Sequence, residues 1–256
     1  MNWIGIYAIY SHEMDRMKRT IVQSVLSPVI TTSLYFIVFG SAIGSRIPVI
    51  EGVSYGSFIV PGLIMLTVLT QSIANASSGI FFPKFLGTIN EIYAAPLSPL
   101  DIIIGFAGAA TTKSMVLGLL IFATAHAFVP MDLIHPILMF WMLILTSLTF
   151  SLVGFVMGVW ATNWEQMSLL PTIVVTPLVF LGGSFYSISM LPEFWQKVSY
   201  FNPILYLVDA FRWSFYGISD VNIFFSLSVI FAILAICIIA IILMFVKGYK
   251  IKNLSL

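Results

Sequence analysis

Apolar residues run through this chain in six blocks, at 21–44, 58–81, 102–129, 137–161, 168–190 and 222–246, with short polar breaks between them. An α-helix needs about 20 mostly apolar residues to cross roughly 30 Å of hydrocarbon, and each block supplies them. The pattern predicts an all-α membrane protein with six transmembrane helices. The breaks leave no room for a folded soluble domain, so residues 1–256 read as a single transmembrane domain.

Two segments outside the blocks also have a helical pattern. In residues 3–19, Trp3, Tyr7, Tyr10, Met14 and Met17 recur at helical spacing, and His12, Glu13, Asp15, Arg16, Lys18 and Arg19 take the other positions. This predicts an amphipathic helix lying in the membrane interface, aromatic side inward and basic side toward anionic headgroups. Residues 186–219 predict two short helices, one beginning near Pro192 and one starting at Asn202-Pro203 and running to about Tyr216. Both are too short to be a seventh and eighth span, so a hairpin dipping into one leaflet is expected between the fifth and sixth spans. Asp209 and Arg212 are three apart and are expected to pair on one helix face, which lowers the cost of charge at that depth.

Proline and glycine punctuate the blocks. Pro28 lies near the start of the first, which ends at Gly40-Ser-Ala-Ile-Gly44; Pro61 falls in the first turn of the second. Gly154 and Gly158 put a small-xxx-small face on the fourth span, suited to close helix approach. Pro171 and Pro177 interrupt the fifth, which leaves carbonyls that neighbours or water must satisfy. Between the second and third spans, Asn90 to Asp101 is expected to form a short helix terminated by Pro96 and Pro99.

Composition sharpens the topology. Only 8% of residues are charged against 60% hydrophobic, and mean hydropathy is +1.06, values that a water-exposed domain of 256 residues could not sustain. If the spans alternate, Arg16, Lys18, Arg19, Lys84, Lys247, Lys250 and Lys252 share one side, and Arg46, Lys197 and Arg212 share the other. The positive-inside rule then places both termini in the cytoplasm, as an even number of spans requires. No cleavable signal peptide is expected, because the apolar run from Trp3 to Tyr10 is short and lacks a preceding basic flank. Cys237 is the sole cysteine, so an intrachain disulfide is excluded.

Catalytic chemistry finds little to stand on. The nearest approach to a phosphate-binding loop, Gly108 to Ser114, lacks the glycine before Lys113 and lies within an apolar helix. His12, His126 and His135 are not spaced as metal ligands. Asn75-Ala-Ser77 matches a glycosylation signal but falls inside a span. Lys113 is the one ionisable residue well inside a block. The expectation is a lysine snorkelling from a cytoplasmic extension of its helix, with a place on a substrate path or against an anionic headgroup as the alternative.

Several segments together resemble the membrane subunits of ABC-2 type exporters. They are Phe58-Ile-Val-Pro-Gly62, Ala95-Pro-Leu-Ser-Pro-Leu-Asp101, Pro177 to Tyr186, Leu191-Pro-Glu-Phe-Trp195, and Asn202-Pro-Ile-Leu-Tyr206 leading to Phe211-Arg212. Their order and spacing cover essentially the whole chain, and the nearest likeness is to small bacterial inner-membrane permeases grouped with nodulation-factor and polysaccharide export subunits. The resemblance implies a homodimer in the bacterial inner membrane, docked to a separately encoded nucleotide-binding ATPase subunit that binds ATP and Mg. No cofactor is then expected in this chain, and no nucleic acid partner.

The resemblance also implies roles for particular residues. A cytoplasmic coupling segment at 84–99 would present Asn90, Glu91, Ile92, Tyr93, Ala94, Ala95, Pro96 and Leu97 to the ATPase. An extracellular re-entrant hairpin at 191–216 would gate the outer end through Pro192, Trp195, Asn202, Pro203, Tyr206, Asp209 and Arg212. Residues 3–19 would be the connector helix, and the first and fifth spans would face each other across the dimer. Tyr35, Phe36, Phe39, Lys113, Phe180 and Phe185 are candidates for the wall of a pathway, which suits an amphipathic, lipid-linked or saccharide-type cargo; for any one aromatic, plain helix packing is the competing reading. The rival functions are an ATP-independent channel or carrier, disfavoured by the absence of paired intramembrane acids, and an intramembrane lipid-modifying enzyme, disfavoured by the absence of a polar catalytic cluster.

Overall fold

The computed structural model describes residues 1–44, 46, 49–129 and 131–246. The basic residues Lys247, Lys250 and Lys252, which carry part of the topology expectation, lie outside them. Asn2 caps the first helix by accepting the Gly5 amide, and α1 spans Trp3–Arg19. After a break at Thr20 the first apolar block begins as a π-helical turn, Val22–Leu26, and continues as α2 (Ser27–Ile37) and a second π-helical turn, Val38–Ile43. A two-stranded hairpin follows, β1 (Val49–Ile50) and β2 (Val53–Ser54), turned by Glu51 and Gly52 at positive φ. Then come α3 (Tyr55–Leu86), the short α4 (Ile89–Ala94), α5 (Pro99–Phe128) and α6 (Pro136–Trp160). The fifth apolar block is α7 (Trp164–Leu169), a π-helical stretch (Leu170–Val175) and α8 (Thr176–Leu181). It is followed by α9 (Glu193–Tyr200), α10 (Pro203–Tyr216) and α11 (Ile223–Val246).

Among the described residues six helical segments are long and apolar enough to cross a membrane, and they match the six blocks. The largest disagreement is at the fifth, expected to reach residue 190. It stops at Leu181 because Gly182 and Gly183, the latter at φ 74°, turn the chain out of the helix. Pro99 also acts differently from the expectation. It opens α5 at the first helical turn, where a missing amide costs nothing, rather than closing the helix before it. Ser98 and Asp101 complete a capping box there.

The centre of the bundle is α3 with α5 and α6. Leu63, Met65, Val68, Leu69 and Ile73 of α3 pack with Leu117 and Ile121 of α5 and with Met142, Leu143 and Phe150 of α6. The Gly154/Gly158 face makes this possible. A Cβ at Gly154 would stand 2.5 Å from the Ile73 carbonyl oxygen, and one at Gly158 would strike the Ser77 backbone, so α6 lies directly on α3. In lipid, such close packing replaces the hydrophobic drive that holds helices together in water.

The first and fifth blocks lie outside this core. Only 11% and 12% of their apolar windows are buried, against 61–78% for α3, α5 and α6. Both are also the blocks with π-helical turns, and both carry proline. Pro28, Pro171 and Pro177 offer no amide, so the ladder widens around them: the Ser27 amide reaches back to the Val22 carbonyl and the Thr176 amide to the Pro171 carbonyl. Thr32 and Thr176 hydroxyls add bonds of 2.9 Å to the Pro28 and Pro171 carbonyls.

Candidate functional site

At the end of the bundle that carries Arg16, Lys18, Arg19 and Lys84, α4 is a one-and-a-half-turn helix held by a single buried side chain, Ile89. Asn90, Glu91, Tyr93 and Ala94 face outward, and Ile92 is half-buried. Ala95 is already extended, as the residue before Pro96 prefers, so Ala95, Pro96 and Leu97 leave the helix and lead into α5. Phe85, Leu86 and Leu100 are exposed beside α4 and enlarge the outward apolar surface with Tyr93. A groove of about 580 Å³ separates α4 from α1, lined by Ile4, Ala8, Glu91, Ile92, Leu97 and Phe106 among others.

The face that α1 turns to the protein leaves the leading aromatics of its stripe outside. Ile6, Ile9 and Glu13 are buried, whereas Trp3 and Tyr7 are 68% and 71% exposed. The buried face runs alongside the first half of α5: the Asn2 amide donates to Asp101 Oδ1 at 3.2 Å, Tyr10 Oη to Thr112 Oγ1 at 3.1 Å, and Lys113 Nζ to Glu13 Oε2 at 2.8 Å. Lys113 therefore neither snorkels nor reaches the pathway aromatics; it is sealed against a carboxylate 100 residues earlier in the chain. Arg16 joins the same Glu13 oxygen at 2.9 Å, donates to Ser78 Oγ at 3.1 Å and lies over the Phe82 ring. Glu13 was missed as a partner, although a signal was present: it continues the Ile6–Ile9 stripe one turn on, an acid on an otherwise apolar face.

At the opposite end, Arg212 is buried in α10, 4.1 Å over the centre of the Phe58 ring, and donates to the Gly183 carbonyl. The carboxylate in ion-pair contact is that of Asp220, 3.8 Å away, while the expected partner Asp209 acts on Arg212 through its charge from further off. Asp209 instead caps the start of the segment before α11, accepting from the Asp220 amide at 2.7 Å and the Val221 amide at 3.2 Å. Burial pushes its carboxyl up to about 6 against those amides and the Arg212 charge, which pull it down. Ser187 Oγ bridges Glu51 Oε1 (2.6 Å) and Asp220 Oδ1 (3.0 Å), which ties the β-hairpin and the loop after α8 into the same network.

Asn202 caps α10 through the Ile204 amide and donates to the Leu178 carbonyl, with Pro203 at the first helical position. Tyr206 Oη donates to the Tyr200 carbonyl at 2.6 Å, closing the α9–α10 turn. Pro192 and Trp195 are exposed on and beside α9. With 8 and 14 residues, these helices extend about 12 and 21 Å at 1.5 Å per residue, too little to span.

The pathway candidates divide. Tyr35, Phe39, Phe185 and Phe180 form a continuous aromatic file linking the first and fifth blocks, with successive ring centres 5.9, 5.1 and 4.9 Å apart. Phe36 turns the other way, buried against Phe128 of α5 in the core. Among the described residues no group of three or more His, Cys, Asp or Glu could hold a metal ion.

Residues 5–216 match the family profile described as ABC-2 type transporter. The chain is 42% identical over 238 residues, 93% of its own length and 91% of the relative's, to the inner membrane transport permease YadH of Escherichia coli K12. It is 23% identical to nodulation protein J of Rhizobium leguminosarum bv. viciae, covering 90% of this chain and 88% of that protein, and 24% identical to nodulation protein J of Rhizobium meliloti, covering 82% and 80%.

Proposed function

The chain belongs to the ABC-2 type transporter family, and on that premise we propose that it is the membrane subunit of an ATP-driven exporter. At the coarser level it is a multi-pass transport permease of the cytoplasmic membrane rather than an enzyme, and its family implies an ATP-binding partner. In the fuller reading, a nucleotide-binding subunit binds ATP and Mg, docks on the cytoplasmic end at Asn90–Ala94, and drives an amphipathic, lipid-linked or saccharide-type cargo outward. Two copies associate through the sparsely buried first and fifth blocks, whose outer faces are the least committed to this chain's own core. The Tyr35–Phe39–Phe185–Phe180 file lies between those blocks, where an amphipathic cargo would meet aromatic rather than charged walls. Helices α9 and α10 then form the re-entrant gate at the extracellular end, and lipid headgroups meet the exposed Trp3 and Tyr7 of α1.

The observation that carries this reading is α4. It is an outward knob anchored by Ile89 and the half-buried Ile92 and joined through Ala95–Ser98 directly to the capped start of α5. A force applied to it reaches a central span through a four-residue connection. The test is purification of the tagged chain in mild detergent, followed by ATP turnover of whatever ATPase it retains. Glu91→Ala combined with Tyr93→Ala is expected to release the ATPase, or to cut its stimulation by this subunit at least about tenfold, without lowering the permease's own stability, since exposed positions rarely cost more than about 0.5 kcal/mol. Retention and stimulation unchanged by the double substitution would remove α4 as the docking element.

A further inference from the structure

Lys113 stands within α5 with 4% of its side chain exposed, and the Glu13 carboxylate that meets it is 3% exposed. A lone ammonium buried in a span is costly, and so is a lone carboxylate, so each is tolerable there only while the other is present. The pair is one of a series. Asn2 meets Asp101, Tyr10 meets Thr112 and Glu13 meets Lys113 in the same order along both helices, so α1 and α5 are parallel neighbours over most of α1. No slack remains between them at Gly105, where an added Cβ would stand 2.8 Å from Ile9. Arg16, bonded to Glu13 and Ser78, extends the junction to α3.

The other side of α1 is the reverse. There the 580 Å³ groove separates it from α4, and α4 hangs between two non-helical joints: Gly87 at φ 79°, whose added Cβ would meet nothing, and extended Ala95 before Pro96. We propose that Glu13, Arg16 and Lys113 are positioning residues that lock α1 and α5 into one rigid lever, and that α4 moves against this lever at the groove. A stroke received at α4 then enters the bundle through a doubled beam rather than a single helix. The lever itself stands on the geometry above; its use in transport rests on the ATPase partnership proposed in the preceding section.

The test uses the full chain in lipid nanodiscs, with and without its ATPase, in a Cys237→Ser background. Spin labels are placed at Tyr7→Cys with Leu120→Cys, reporting α1 against α5, and at Tyr7→Cys with Thr88→Cys, at the exposed start of α4 outside the docking residues, reporting α1 against α4; labelled subunits are diluted with unlabelled ones. Between the nucleotide-free and Mg-ATP–vanadate states, the first distance is expected to stay constant and the second to shift. Lys113→Met and Glu13→Gln are each expected to broaden the first distribution and to speed hydrogen exchange of α1 amides at least about tenfold, as local opening becomes easier. The double reversal Glu13→Lys with Lys113→Glu is expected to restore both readouts, which a general packing defect would not allow. If the first distance shifts with nucleotide as much as the second, or if α1 exchange is unchanged by both single substitutions, the lever is wrong. Should no ATPase bind and neither distance respond to nucleotide, the exporter reading fails instead, and exchange of α1 in the permease alone still decides whether the clamp exists.

Discussion

The bundle buries charge at both ends, and the two ends do it differently. Beside α4, opposite charges from separate helices meet head-on: Lys113 and Arg16 lie 2.8 and 2.9 Å from one oxygen of Glu13. At the far end, Asp209, Asp220 and Glu51 gather around a single arginine, and the closest contacts are to backbone and hydroxyl groups; the Arg212–Asp220 ion pair is 3.8 Å. The first arrangement joins two helices that the chain separates by 100 residues. The second uses charge to cap loops, fixing where α8 ends, how α10 turns into α11 and how the β-hairpin sits. One is a junction between rigid bodies, the other a fastening for irregular backbone.

Removing the central charge at each end should separate the two designs, with the larger loss at the far end. Arg212→Met leaves the Gly183 carbonyl without its donor and the surrounding carboxylates without a cation, and is expected to cost about 3–5 kcal/mol, read as a fall in the thermal unfolding midpoint in detergent. Next in size is the pH response of Asp209. Its carboxyl is raised from 3.8 to about 6, so the folded state binds the proton more tightly than the unfolded chain does. The stability this contributes is complete below about pH 4 and disappears as the pH rises through about 6, a change on the order of 3 kcal/mol. Asp209→Asn should flatten that slope in unfolding midpoints measured across pH 4–7; a slope that persists would place the titration elsewhere.

Lys113→Met is expected to cost less, about 1.5–3 kcal/mol, the range for hydrogen bonds to charged groups. Arg16 still holds Glu13, and a methionine crosses lipid more cheaply than a lysine. A loss larger than that of Arg212→Met would invert the comparison. The smallest effect belongs to Asn202→Ala, which removes a helix cap at about 1 kcal/mol and should appear as faster proteolysis at the α9–α10 turn before any change in the global midpoint.

Much of the architecture was legible from hydropathy. All six spans were anticipated, and the misplaced end of the fifth came from reading through Gly182-Gly183, where a positive φ stops the helix while the hydropathy continues. The short helices at 89–94, 193–200 and 203–216 were also foreshadowed, because Pro96, Pro192 and Asn202-Pro203 mark their ends by local stereochemistry. Side-chain partnerships were not. The aromatic stripe of α1 was read as its membrane side; which face the protein itself would cover, Ile6–Ile9–Glu13, was not anticipated. Asp209 and Arg212 share a helix face and interact through their charges, but their close contacts go to two backbone amides and to Asp220. Phe36 is a core residue although its neighbours Tyr35 and Phe39 join the aromatic file.

Run length and the scarcity of charge were enough to set the span count, and prolines to mark the short helices, because each is read from one contiguous stretch of chain. Which charge meets which, which face of α1 is covered, and where α4 is left free were decided by packing alone. Helical periodicity constrains neighbours three and four positions apart, and Glu13 meets Lys113 only after the bundle has brought two distant turns to within 2.8 Å.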